Sequence, residues 1–276
     1  RAKVEVVSKD KRIRILMNKG GVATYCLLSS EIVRKYGLYF APLYYGADDA
    51  EYAERLPKNF SVINAICSHP FGSDQFSNIK KSMLFLTNAL AVVRSPGFFA
   101  FLLRNFVVYT FMMFVFFPDY GRKVAFTVLE SVLLGRYGKR VKNKLFSIEI
   151  PSVIPGNGNR VVSGLAPVIQ KDSHSLPSTK FMPILFSAVG NFRKDVLITQ
   201  SNSGLLIHLH AMFARKAFYS SGDGKYIPIT DNSNIIIHAL RISLFLLLFL
   251  PYSLCTISAI SILKLFRPIK TIGYGI

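Results

Sequence analysis

The chain has 276 residues, enough for one or two domains with a sizeable core, and it is 51% hydrophobic, which is apolar for an ordinary soluble domain. Its 34 Lys and Arg against 15 Asp and Glu leave a net charge of +19, which turns it toward anionic headgroups, nucleic-acid backbones or acidic protein surfaces. Cys26, Cys67 and Cys255 are widely scattered and exclude a disulfide framework or a zinc-ligand pattern.

In chain order, Lys11 to Met17 alternates basic and apolar residues and predicts a short strand. Lys19-Gly20-Gly21 punctuates it, and Val22 to Tyr36 predicts a helix capped by Gly37. A strand, a glycine turn and a helix can present amides to a phosphate. The spacing is not that of a nucleotide-binding loop, and an ordinary turn is the plainer reading. Leu38 to Tyr45 is aromatic and strand-like. Asp48, Asp49, Glu51 and Glu54 then form an acidic cluster, read as a solvated turn entering a helix at 49–56, with a hard-cation site as the alternative.

Ser82 to Val93 is too short to span a membrane and predicts a core, re-entrant or interfacial helix. Phe98 to Phe117 is a spanning candidate that carries Arg104 and Asn105. A central Arg costs about 3 kcal/mol on insertion scales, and each Leu, Phe or Val returns about 0.3 to 0.6, so the run can carry one Arg. Arg104 is expected to snorkel toward an interface, or else to meet an anionic lipid or an ion-pair partner inside a bundle.

Beyond Asp119 the chain turns basic. Arg122, Lys123, Arg136, Lys139, Arg140, Lys142 and Lys144 form the candidate polyanion-binding set. Val124 to Leu134 has helical periodicity, and 135–144 reads as a basic, glycine-containing loop. Its partner is either the headgroup region or RNA, with Tyr137 as a lone stacking candidate.

Residues 151–180 hold many Pro, Gly, Ser and Asn and read as an extended link. Lys180 to Val189 and Val196 to Leu209 predict shorter buried elements, Ser220 to Gly224 a turn, and 225–229 a strand. Asp231 to Asn234 supplies helix-start signals for the last segment. There Ile242 to Leu263 runs without a charge between Arg241 and Lys264, followed by Arg267 and Lys270. As a helix it is about 33 Å long, against a hydrocarbon core of about 30 Å. Pro251 is expected to kink it, and Ser253, Thr256, Ser258 and Ser261 suit packing against another helix. If both runs cross, the two termini share one side.

The resulting expectation is a mixed α/β membrane-associated protein with about two transmembrane helices. Its regions are a basic α/β part at 1–80, apolar helices at 81–118, a basic extramembrane part at 119–240, and a membrane helix with a basic tail at 241–276. The preferred function is a non-catalytic integral subunit of a larger, organellar assembly, with a mitochondrial inner-membrane setting. Anionic lipids and neighbouring subunits are the expected partners in a hetero-oligomer, and no cofactor is required.

Two other readings stand beside it. His69-Pro70-Phe71-Gly72-Ser73-Asp74 resembles the His-x4-Asp signature of glycerolipid acyltransferases. That resemblance implies His69 as general base toward a substrate hydroxyl and Asp74 as its orienting carboxylate, with an acyl thioester and a lysolipid or glycerol phosphate as substrates. The other reading is an organellar ribosomal or RNA-associated protein that meets RNA through 122–144. His208 and His210 offer two metal ligands if their segment is a strand, and diverge if it is a helix.

Overall fold

The computed structural model describes residues 15–18, 30–37, 43, 47–56, 59–62, 79–94, 96–154, 160–163, 181–200, 204–220 and 225–266. Among these the protein is mostly helical, with a small open sheet.

The N-terminal part is tied by local chemistry. Strand β1 (Ile15–Asn18) pairs antiparallel with β2 (Asn59–Val62), Ile15 facing Val62. Helix α1 (Ser30–Tyr36) ends as expected on Gly37, whose φ of 75° lets its N–H bond the Val33 carbonyl at 2.9 Å. Helix α2 (Asp48–Arg55) carries a Glu51–Arg55 pair at 2.8 Å, and the Tyr52 hydroxyl donates to the Gly37 carbonyl, joining the two helices.

A helical bundle follows, built from α3 (Ile79–Val92), α4 (Pro96–Phe116), α5 (Asp119–Leu133) and α6 (Lys139–Phe146). Helix α3 is a core helix: Met83, Leu84, Ala89 and Leu90 are buried. Its buried Asn88 donates to the Leu43 carbonyl at 3.1 Å and accepts from the Gly138 N–H at 2.8 Å, pinning α3 to the start of α6. Helices α4 and α5 form a tight hairpin across Pro118, with Phe114 and Phe126 meeting edge to face at 5.2 Å. Gly121 makes this possible, because a Cβ there would sit 2.3 Å from the Phe117 Cβ.

The basic loop expected at 135–144 is corrected in its second half. Gly135 and Gly138 take positive φ, and α6 begins at Lys139. Val141 and Leu145 are buried at i, i+4 spacing, so burial of one apolar stripe makes a helix of a segment that composition marks as a loop.

The last part is an α/β layer. Strands β3 (Arg160–Ser163), β4 (Asp195–Gln200), β5 (Lys216–Ser220) and β6 (Tyr226–Asp231) lie in the order β3-β4-β5-β6. The first two pairings are parallel, so α7 (Phe181–Gly190) and α8 (Gly204–Phe213) are their crossovers. Helix α7, in the segment 180–189 expected to be buried, is buried on one side among its described side chains: Ala188 lies in the core and Leu185 packs against it, while Phe186 and Val189 are exposed. Strand β6 returns antiparallel, and the register slips beside Pro228, which brings no N–H to the ladder. Helix α8 fills the space between the sheet and α4.

Helix α9 (Ile235–Phe266) starts on Asn234, whose Oδ1 accepts from the Ile236 and Ile237 N–H groups at 2.9 and 3.2 Å. It runs through Pro251 and packs along α4.

Candidate membrane interface

Two helices, α4 and α9, are long and apolar enough to cross a membrane by length and composition. They lie antiparallel. Phe116 and Phe111 meet Phe245, Phe111 meets Phe249 and Tyr252, and Lys264 reaches back to Val93 and Phe99. In the middle the Thr110 and Tyr252 hydroxyls lie 2.9 Å apart. The ring ladder supplies dispersion contact between the helices, and the hydroxyl pair fixes their register.

Their surroundings differ. Only 11% of the apolar stretch of α9 is buried within the chain, against 44% of that of α4. Helix α4 is wrapped by α3, α5, α8 and α9, and buries Leu102, Phe106, Met113 and Phe116. On α9, Leu246, Leu247 and Leu250 are 69%, 71% and 65% exposed, with Leu240, Leu244, Leu248 and Leu254 beside them. An aliphatic face of this extent is unstable in water unless something apolar covers it.

The ends of α9 are polar. The Lys264 ammonium donates to the Val93 carbonyl at 2.6 Å, just past the C-terminus of α3, and lies 3.5 Å from the Phe99 ring centroid. At the other end Arg241 donates to the Asp231 carbonyl at 2.9 Å and to Asn232 Oδ1 at 2.7 Å. Arg193 bonds the Asn232 and Ser233 carbonyls and approaches His238 Nδ1 at 3.2 Å, while His238 Nε2 lies 2.9 Å from the Met212 carbonyl. Because a guanidinium only donates and a carbonyl only accepts, these contacts have His238 accepting at Nδ1 and donating from Nε2. Arg241 and Lys264 are separated by about 34 Å of helix.

Arg104 sits on the exposed side of α4, 5.5 Å from the Phe101 ring. The seven basic residues expected to act together fall into two places. Arg122 and Lys123 lie at the start of α5, with Arg122 paired to Asp119 at 2.6 Å and its charge felt at Arg241. Arg136, Lys139, Arg140, Lys142 and Lys144 lie around α6, beyond the other end of a 15-residue helix about 21 Å long. Glu130 binds Arg136 at 2.6 Å and Lys144 at 3.1 Å. The Lys144 hydrogen bond, with both cations nearby, holds the Glu130 carboxyl below the usual carboxylate range. Lys139 and Arg140 are exposed, and Lys142 lies over the Phe146 ring at 5.9 Å.

The other candidates are dispersed. His69, Asp74 and the Lys19-Gly20-Gly21 turn lie outside the described residues. Glu51 of the acidic cluster is used in its pair with Arg55, and among the described residues no three His, Cys, Asp or Glu gather as metal ligands. His208 and His210 are on a helix and diverge. His208 stacks on Tyr109 at 4.4 Å and 12°. His210 is fully buried, and burial pushes its imidazole down to about 4.

Sequence reasoning missed the Thr110–Tyr252 link and the polar anchors Asn88 and Asn232. A Thr and a Tyr within otherwise apolar runs were the available signal. Comparisons with protein-family models, with curated proteins and with solved structures return no match.

Proposed function

We propose that this chain is a non-catalytic integral membrane subunit of a larger assembly, anchored by α9 and, behind it, α4. The observation that carries the reading is the exposed aliphatic surface of α9, free of charge from Arg241 to Lys264. Lipid is the medium that such a surface suits over that length. The polar contacts at each end keep the flanking cations near the headgroup levels, where each near-surface Lys or Arg is worth up to about 1 kcal/mol on an anionic membrane. The net charge of +19 favours a membrane rich in anionic lipid, such as the mitochondrial inner membrane. Acyl transfer draws no support from geometry, since His69 and Asp74 lie outside the described residues.

The test is extraction of native membranes with high salt and then with alkaline carbonate. Retention in the pellet through both washes is expected. Full release by carbonate would reject the spanning role of α9.

A further inference from the structure

We propose that the basic α5–α6 face, centred on Glu130, Arg136 and Lys144, docks against an acidic protein subunit of the same assembly, within the thickness of the membrane. This rests on the reading of α9 as a span. Two independent routes place that face level with the middle of α9. Phe126 meets Phe114 edge to face, so one turn further along α5 Glu130 comes level with about Thr110, which touches Tyr252 near the centre of α9. From the other end, Lys264 marks the level of Val93. Asn88, about 7 Å further along α3, holds the Gly138 N–H. Helix α6 then runs back beside α3 until Lys80 reaches the Phe146 and Ile148 carbonyls, which carries Lys144 to the same middle level. The Glu130–Lys144 pair is the point at which the two routes meet.

Tyr252 is about 17 Å of helix from Arg241 and about 18 Å from Lys264, so headgroup phosphates lie far from this cluster. Lipid tails are an unfavourable neighbour for it, since a charge at mid-depth costs at least about 3 kcal/mol. The segment from Gly135 to Phe146 has five cations and no acid, and Glu130 serves two of them. Exposed Phe126, Leu134, Tyr137 and Phe146 lie near Arg136 and Arg140 in the chain, and aromatic and arginine side chains are the types enriched at protein interfaces. The complementary surface is a carboxylate-bearing protein.

The experiment uses native membranes holding the assembled complex. A membrane-impermeant amine-acylating reagent is applied before and after mild detergent dissociates the subunits, and Lys139 and Lys144 are read by mass spectrometry. A photoactivatable phospholipid maps lipid contact in parallel. The expected result is protection of both lysines until dissociation, with lipid adducts on 244–254 and none on 136–146. A zero-length carbodiimide should join Lys139 or Lys144 to an Asp or Glu of a co-assembled subunit. Replacing Lys139 and Lys144 together by Arg should abolish that link, because a guanidinium forms no carbodiimide amide, and the pair Lys139→Glu and Arg140→Glu should lower incorporation at least tenfold. Equal acylation before and after dissociation, lipid adducts on 136–146, nuclease-sensitive protection that marks RNA, or full incorporation of the charge-reversed pair would overturn the docking surface. Loss of lipid adducts on 244–254 would instead reject the span beneath it.

Discussion

The hydroxyl of Tyr252 meets that of Thr110 at 2.9 Å across the α4–α9 interface, between residues 142 positions apart in the chain. Thr110 Oγ1 is already placed to donate to the Phe106 carbonyl at 2.7 Å, which leaves Tyr252 as the donor between the helices. Tyr252→Phe keeps the ring against Phe111 and removes the hydroxyl, which bonds Thr110 across the interface and Thr256 within α9. Its expected cost is about 0.6 to 1 kcal/mol, measured by unfolding in detergent micelles, and in a double-mutant cycle with Thr110→Val most of that loss should appear as coupling. Additive single losses would show that the register is set by the rings alone.

Gly121 is predicted to be the least replaceable glycine of the α4–α5 hairpin. A Cβ there meets the Phe117 Cβ at 2.3 Å, an atom fixed to the backbone. Gly121→Ala should destabilise the protein by about 1 to 3 kcal/mol, against the small gain that the same change gives in an unobstructed helix. A thermal unfolding midpoint equal to or above that of the parent protein would contradict the close approach.

Lys264 ties the far end of α9 to the α3–α4 connection through the Val93 carbonyl and the Phe99 ring. Lys264→Met keeps the aliphatic stem and removes the charge, and should cost about 1 to 3 kcal/mol from the lost charged hydrogen bond and cation–π contact. Proteolysis near 94–96 should accelerate in this variant, and Lys264→Arg should restore part of the protection. An unchanged cleavage rate would show that the anchor does not hold this connection.

His210 gives the protein a pH signature. It is fully buried, neither ring nitrogen has a hydrogen-bond partner among the described residues, and its imidazole is lowered to about 4. In the unfolded chain it titrates near 6.5, so the unfolded state takes up the proton first as pH falls. The stability that depends on a neutral His210 is therefore full above about 6.5, declines between about 6.5 and 4, and is lost below that, a total of up to about 3 kcal/mol. His210→Leu should flatten unfolding free energy across this window. A slope identical to that of the parent protein would assign the dependence to other groups.

Much of the secondary structure was legible because it rests on local rules. Gly37 closed α1, Asn234 opened α9, and two long apolar runs became the two longest helices, since caps and periodicity act over a few residues. The basic run after Gly135 was less legible: its composition resembles a loop, and only the burial of Val141 and Leu145 makes it helical. The seven cations of 122–144 read as one site and separated into two because α5 stands between them as a rigid rod.

By itself the sequence determined that one segment, Ile242 to Leu263, is long, uncharged throughout and bounded by cations, because length and charge are one-dimensional properties. Only the tertiary structure decided that the two apolar runs have different roles, α4 lying inside the bundle and α9 outside it. Burial depends on which faces neighbouring helices cover, and that is settled by contacts such as Phe114 with Phe126, Asn88 with Gly138 and Thr110 with Tyr252, made between residues distant in the chain.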